Sequence, residues 1–236
     1  AVGDIDRGMD ESPAVERRMA RQRRRQIGRQ SDRMKKTACI LQKYGLLPAG
    51  DVNHGKARHD FFVGLDRDIR ESFTKQGVSA SSPKGLRELP YFLRARGLDM
   101  ALEPYALGRA LYHLAQRRGF LSNRKTEKDD SETGKVKESI AELAEFIQQS
   151  GARTLGEYFY NTDPVNEKRI RNRWTARSMY QQEFDMLWGI QGKYYPELMT
   201  DSAYKEIYEA IFYQRPLKSQ KGLVGRCELE PSQRRA

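Results

Sequence analysis

The chain has 236 residues, with 43 Lys and Arg against 32 Asp and Glu and a formal charge of +11, and its pI is about 9.6. Two distant cysteines, Cys39 and Cys227, and three histidines without ligand spacing exclude a disulfide scaffold and a recognisable zinc motif; no apolar run approaches the roughly 18 residues of a membrane-spanning helix. The expectation is a reduced intracellular protein with a polyanionic partner, and a hydrophobic fraction of 38% predicts a modest core divided among small clusters.

Residues 1–11 carry Asp4, Asp6 and Asp10. No apolar strand surrounds them to hold a carboxylate cluster, so they read as a loop rather than a metal site. From Ser12 to Tyr44 the signals are those of one long helix. Ser12 stands at a cap position, Pro13 in the first turn and Glu16 close behind, and Gly45 falls where a C-terminal cap belongs. Such a helix is roughly 45–50 Å long at 1.5 Å per residue. Its first two-thirds is dense in arginine, and Glu16 and Asp32 are its acidic residues. It therefore lacks the i,i+4 ion pairs that support a solvated helix, and its like charges repel.

Arg18, Arg21, Arg25 and Arg29 step by three and four and share a face that Arg33 and Lys36 continue. Val15, Met19, Ile27, Met34, Ala38 and Leu41 form a thin apolar stripe, continuous only toward the C-terminal end. The pattern predicts a helix anchored at its far end whose remaining length meets nucleic acid, because guanidinium bonds phosphate in bidentate fashion. Two plainer readings stand beside this one: a solvated basic helix, and a membrane-surface helix, which the lack of aromatics in the stripe opposes. Gly28 reads as a bend, a close backbone approach or a tolerated defect.

Residues 45–90 are rich in turn residues. Phe61–Leu65 suggests a short buried piece and Asp66–Phe73 a short helix. The stretch LPYFLRARGLD ends a short element at Gly97. Pro104 then opens a helix in which Leu107, Ala110, Leu111, Leu114 and Ala115 mark one core face. Arg117 and Arg118 lie in its last turn, where the helix dipole favours cations, and Gly119 suits a left-handed cap. Phe120, Ser122, Asn123, Arg124 and Lys125 follow, and together these residues resemble a phosphate-gripping corner. His113 reads as a helix-face residue rather than a ligand or base.

An acidic linker at 126–134 precedes an amphipathic helix over 135–150, on whose face Thr154–Tyr160 is expected to dock. Residues 167–188 interleave Arg169, Arg171, Arg173 and Arg177 with Trp174, Tyr180, Phe184 and Trp188. Either these aromatics stack on RNA bases or they are core and the arginines solvated; both readings stay open. Asp201 is expected to cap a last helix, before the basic loop with Arg215, Lys218, Lys221 and Arg226. No strand pair, nucleophile elbow, P-loop or metal motif is present, and the chain reads as all-α.

Three of these stretches resemble one family. ERRMARQRRRQIGRQSDRMKK is similar to the arginine-rich bridge helix of the type II CRISPR effector nucleases, the Cas-nine family. LRARGLD followed by LGRALYHLAQRRGFLSNRK resembles the start of their recognition lobe, especially in compact subtype C members. FYQRPLKSQKGLVGRCELEP resembles the segment that closes it. The resemblance spans nearly the whole chain and is weakest over 45–83 and 161–195. It implies an all-α fold with residues 1–11 as a residual linker, 12–45 as the bridge helix and 46–236 as a helical recognition lobe. The RuvC, HNH and PAM-interacting parts of the family are expected outside this chain, so no catalytic residue is carried over and the chain alone is not expected to be an enzyme; the parent nuclease would use Mg2+. The implied role is to hold guide RNA (crRNA with tracrRNA, or a single guide) and its heteroduplex with the target DNA strand, in a prokaryotic cytoplasm. The implied RNA contacts are Arg17, Arg18, Arg21, Arg24, Arg25, Arg29 and Arg33, then Arg117, Arg118, Ser122, Arg124 and Lys125, then Arg215, Lys218 and Arg226. Two alternatives remain: a generic helical module for structured RNA, and a docking surface for a protein partner such as an anti-CRISPR inhibitor.

Overall fold

The computed structural model describes residues 13–78, 89–121, 131–162 and 173–214. Among them are eight helices: α1 (Pro13–Lys43), α2 (Gly55–Lys75), α3 (Leu89–Arg96), α4 (Pro104–Arg117), α5 (Ser131–Ser150), α6 (Leu155–Asn161), α7 (Arg177–Gln191) and α8 (Asp201–Phe212). An isolated parallel bridge between Phe120 and Ala176 is the only β-pairing among the described residues. The all-α expectation is borne out.

The first helix ends as its sequence predicts. Gly45 takes φ +70°, its N–H donates to Gln42 O at 3.0 Å, and the N–H of Leu46 reaches back to Leu41 O at 2.9 Å. This paired closure uses two of the carbonyls that a helix end otherwise leaves without partners. α4 starts at Pro104, as read. Every residue from Ala106 to Ala115 is buried, so α4 is the central helix rather than a one-faced surface helix. The turn after α1 approaches it at backbone distance: a Cβ at Gly108 would lie 1.7 Å from Leu46 O.

Three expectations are corrected. Residues 55–75 form one helix of six turns, not a short piece plus a shorter helix; Phe62, Leu65, Ile69 and Phe73 are its buried stripe, spaced by three and four. The core is a single cluster that runs from Met34 of α1 through α4 to Phe212 of α8, because α4 is surrounded and joins what composition suggested would be separate clusters. The segment from Leu155 packs most closely on α3, with a smaller contact to α5. A smaller difference concerns α8, whose cap is Thr200, accepting from Ala203 N, with Asp201 in the first turn.

At the junction of α3, α4, α6 and α7 lies a buried ion pair. Arg94 and Glu183 are both fully buried. Arg94 Nε and Nη2 donate to the two Glu183 carboxylate oxygens at 2.6 Å each. Gly156 N donates to the same carboxylate at 2.9 Å, and Arg94 Nη1 lies 3.2 Å from His113 Nδ1. The guanidinium sits near the rings of Tyr91 and Tyr180, 5.3 and 5.5 Å from their centroids. Burial first, and the positive charge of Arg94 second, push the His113 pKa well below its ordinary value, so the ring is neutral and its Nδ1 accepts. Gly156 has no side chain because a Cβ there would meet the Glu183 carboxylate at 2.3 Å. His113 is thus a helix residue as expected, but one that completes a buried network.

Removing one partner of a buried pair leaves an uncompensated charge. Arg94→Met is therefore expected to cost about 3–5 kcal/mol of folding stability, read from urea denaturation. For His113 the folded pKa is depressed, so the unfolded chain binds the proton first. Stability from this site is complete above about pH 6.5 and falls as pH drops below it. Denaturation at about pH 7.5 and 5.5 should show this loss in the native chain and a smaller loss in His113→Asn.

Candidate nucleic-acid interface

α1 is two helices in one. Every residue from Glu16 to Gln30 is exposed, whereas Met34, Thr37, Ala38 and Leu41 are buried. The exposed part is about 22 Å long. It carries Arg17, Arg18, Arg21, Arg23, Arg24, Arg25 and Arg29, with Met19 and Ile27 as exposed apolar residues among them. A side chain added at Gly28 would meet open space, and the helix continues through it, so no close backbone approach is made there among the described residues.

The packed part is held by α4 and α8. Lys43 Nζ donates to the Glu206 carboxylate at 2.8 Å, and the buried Arg58 of α2 donates from Nη2 to Ser31 Oγ at 3.2 Å and from Nη1 to Val52 O at 2.9 Å. Arg33 sits where the two parts of α1 meet, and there the arginine face reaches the body of the molecule.

Beside Arg33 lies the corner after α4. Gly119 takes φ +72°, and a Cβ on it would lie 2.4 Å from Ala176 O. Phe120 N donates to Thr175 O at 2.7 Å, and Arg177 N donates to Phe120 O at 2.9 Å. This pairing locks the corner to the start of α7. The Arg177 guanidinium donates to the carbonyls of Arg118, Gly119 and Phe212 at 3.2–3.4 Å. It thereby caps the ends of α4 and α8, where carbonyls lack helical partners and the dipole favours a cation. Arg118 donates from Nη1 to Tyr213 O.

Arg33, Arg118 and Arg177 thus form a cationic cluster at one junction. Burial, and then the charge of Arg118, push the Arg33 pKa down to about 10. Burial, then Arg118 and Arg33, push Arg177 to about 10; burial lowers Arg118. All three remain charged at neutral pH. The Arg33 Nε is buried and finds no hydrogen-bond partner among the described residues. Two clefts flank the Arg33–Arg118 pair, each of about 420 Å³. One is bordered by Arg29, Asp32, Lys36 and Tyr213; the other by Gln30, Arg117, Phe120, Trp174 and Tyr180.

The geometry therefore gathers Arg29, Arg33, Arg117 and Arg118 around one junction and sets Arg17, Arg18, Arg21, Arg24 and Arg25 along the projecting part of α1. Ser122, Arg124, Lys125, Arg215, Lys218 and Arg226 lie outside the described residues, as do Arg169 and Arg171. The interleaved stretch 167–188 divides at Ala176. Tyr180, Phe184, Leu187 and Trp188 are core, Arg177 is buried among carbonyls rather than solvated, and Trp174 is exposed. Pattern reading names Arg177 and Trp174 only as members of the interleaved stretch, with stacking and core packing both open, and not among the RNA contacts. Nothing in the local sequence separates Arg177 from its arginine neighbours, because its partners come from two distant helix ends.

The fold and this junction define an all-α scaffold with a concentrated cationic face. No family model matches the chain. It is 24% identical over 239 residues to the CRISPR-associated endonuclease Cas9 of Campylobacter jejuni, a match covering 96% of this chain and 22% of that protein. Among solved structures, C. jejuni Cas9 in complex with sgRNA and target DNA matches 91% of this chain with a TM-score of 0.59 at 22% identity, over 27% of its own length. St1Cas9 in a dimeric assembly with sgRNA, tDNA20 and AcrIIA6 matches 95% of this chain, also at 0.59, with 16% identity and 27% of its own length. The resemblance to the Cas9 family is borne out. The match lies on a segment of that protein, and the chain spans about a fifth of the length of the curated relative it matches. Among the described residues no group of three or more His, Cys, Asp and Glu is placed to hold a metal ion. No helix among them is long and apolar enough to cross a membrane.

The corner after α4 is the most constrained backbone of the site. Gly119→Ala is expected to destabilise the fold by about 1–3 kcal/mol through strain at positive φ and the clash with Ala176. Gly28→Ala, in open space, should be neutral or raise helicity, since Ala exceeds Gly in helix propensity by about 1 kcal/mol. Urea denaturation and circular dichroism of the two variants check this contrast.

Proposed function

We propose that this chain is the guide-RNA-binding scaffold of a CRISPR RNA-guided DNA endonuclease, with residues 12–45 as its bridge helix and 46–236 as its recognition lobe. One observation carries the reading: the arginine face of α1 runs along an exposed helix, nearly free of carboxylates, into a junction where Arg33 and Arg118 meet. Like charges at i,i+4 spacing destabilise a helix that is cationic over this length, and a polyanion relieves that repulsion. A regular phosphate backbone supplies one, and its binding is driven by the counterions that it releases. The solved relatives that share the fold hold sgRNA and target DNA, which supports the same assignment here.

In this reading Arg17, Arg18, Arg21, Arg24, Arg25 and Arg29 grip successive phosphates of the guide and keep its bases turned outward for pairing. Arg33, Arg117 and Arg118 hold the backbone where it meets the lobe. Ser122, Arg124 and Lys125, and Arg215, Lys218 and Arg226, are further contacts to the RNA in the same reading. The protein reads A-form backbone geometry, and base pairing with the target strand supplies sequence specificity. The role is positional, and no bond-making step is assigned to this chain.

The test is binding of the chain to a cognate single-guide RNA and to an unrelated structured RNA of equal length across a salt series. A preference for the guide that persists at about 0.2 M salt is expected; affinities that fall together would reduce the reading to a generic polyanion module. Within the series, Arg24→Ala should weaken guide binding and lower the salt slope by about one. A slope equal to that of the native chain would remove Arg24 from the contact set.

A further inference from the structure

We infer that the cleft between α1, the end of α4 and the start of α7 is a subsite for one unstacked nucleotide of the bound RNA, with its base on the Trp174 indole and its phosphate between Arg33 and Arg118. The inference rests on the guide-RNA reading and goes beyond backbone contact, because it assigns this cleft a nucleobase.

The observations converge on a base and a phosphate together. Trp174 is 51% exposed and Phe120 42% exposed, and their rings meet edge to face at 6.4 Å. Both are held in place by backbone: Phe120 and Thr175 pair directly, on the residue next to the indole. An ordered, half-exposed tryptophan beside arginines is a stacking platform of the kind that single-stranded RNA uses. Over residues 173–188 the other large aromatics, Tyr180, Phe184 and Trp188, are buried, so the exposure of Trp174 is not a property of the whole stretch.

Arg33 and Arg118, both half-buried, line the cleft, and the buried Arg33 Nε is unpartnered among the described residues. The exposed amides of Gln30 and Gln116 line it too, each able to donate and accept toward a base edge. The volume of about 420 Å³ lies within the range of small-ligand sites, roughly 300–1,000 Å³. Among its described lining residues there is no carboxylate, so nothing there repels a phosphate.

The chain has two tryptophans, and Trp188 is in the core. In Trp188→Phe, Trp174 is the sole reporter. The probes are 5′-AMP, adenosine and inorganic phosphate, each titrated against its fluorescence. Saturable quenching by 5′-AMP at millimolar concentration is expected. Adenosine should bind several-fold more weakly, and phosphate should compete without quenching. Arg33→Gln in the same background should remove the difference between 5′-AMP and adenosine. In the otherwise native chain, Trp174→Ala should lower guide-RNA affinity by at least about 5-fold and leave the salt slope unchanged, because stacking releases no counterions. Equal, non-saturating quenching by 5′-AMP and adenosine would overturn the subsite. So would a Trp174→Ala chain that binds guide as the native chain does while Arg24→Ala still lowers the slope, and that result would leave the scaffold reading intact.

Discussion

The structure depends on a charge constraint in α1. A helix with cations on most of its turns and two carboxylates is held together against its own repulsion. Isolated helices of this kind are marginal in water, and tertiary burial of an apolar stripe supplies most of the stability that helices have in proteins. Here the burial is confined to one end. Met34, Thr37, Ala38 and Leu41 sink into the core, the Gly45 closure turns the chain back, and Leu46 packs against Gly108 at backbone distance. The other end carries charge and exposes it. Anchor and projecting face are therefore inseparable: the core of the remaining helices exists in part to hold one end of a helix that has no core of its own.

Arginine performs two different tasks in this chain, and burial separates them. Arg94 and Arg177 work inside the fold. One is matched by Glu183 and flanked by two tyrosine rings; the other spends its donors on the carbonyls of two helix ends. The planar guanidinium suits both uses, since it donates in several directions while its stem and face pack against apolar groups. Arg33 and Arg118 stand between the two populations. They are close enough to the core to lose hydration and close enough to the surface to meet a ligand. The internal arginines fix the corner that presents the external ones.

How much of this was legible in sequence followed the range of the interactions involved. The ends of α1 and α4 were readable because caps and periodicity are local: Pro13, Gly45, Pro104 and Gly119 mark them within the helices themselves. α2 was obscured by Gly55 and Gly64, which read as turn residues, although Phe62, Leu65, Ile69 and Phe73 carried a helical spacing underneath. Gly64 sits where a Cβ would meet nothing within 4 Å, so that glycine is tolerated rather than required. The Arg94–Glu183 pair spans 89 positions and has no local signature at all. The same distance effect hid the role of Arg177 and the split of the arginine–aromatic stretch into core and platform. The basic face of the candidate site was evident from composition, but its meeting point at Arg33 and Arg118 was a property of the fold.

The central claim is that the projecting part of α1 is the surface on which guide RNA lies. Hydrogen–deuterium exchange of the chain with and without a cognate single-guide RNA tests it most directly. Without RNA, amides over 16–30 should exchange far faster than those over 34–43, whose helix is anchored in the core. With RNA, residues 16–30 should become protected to near the level of the anchored part. Guide RNA that binds while the exchange over 16–30 stays unchanged would contradict the account.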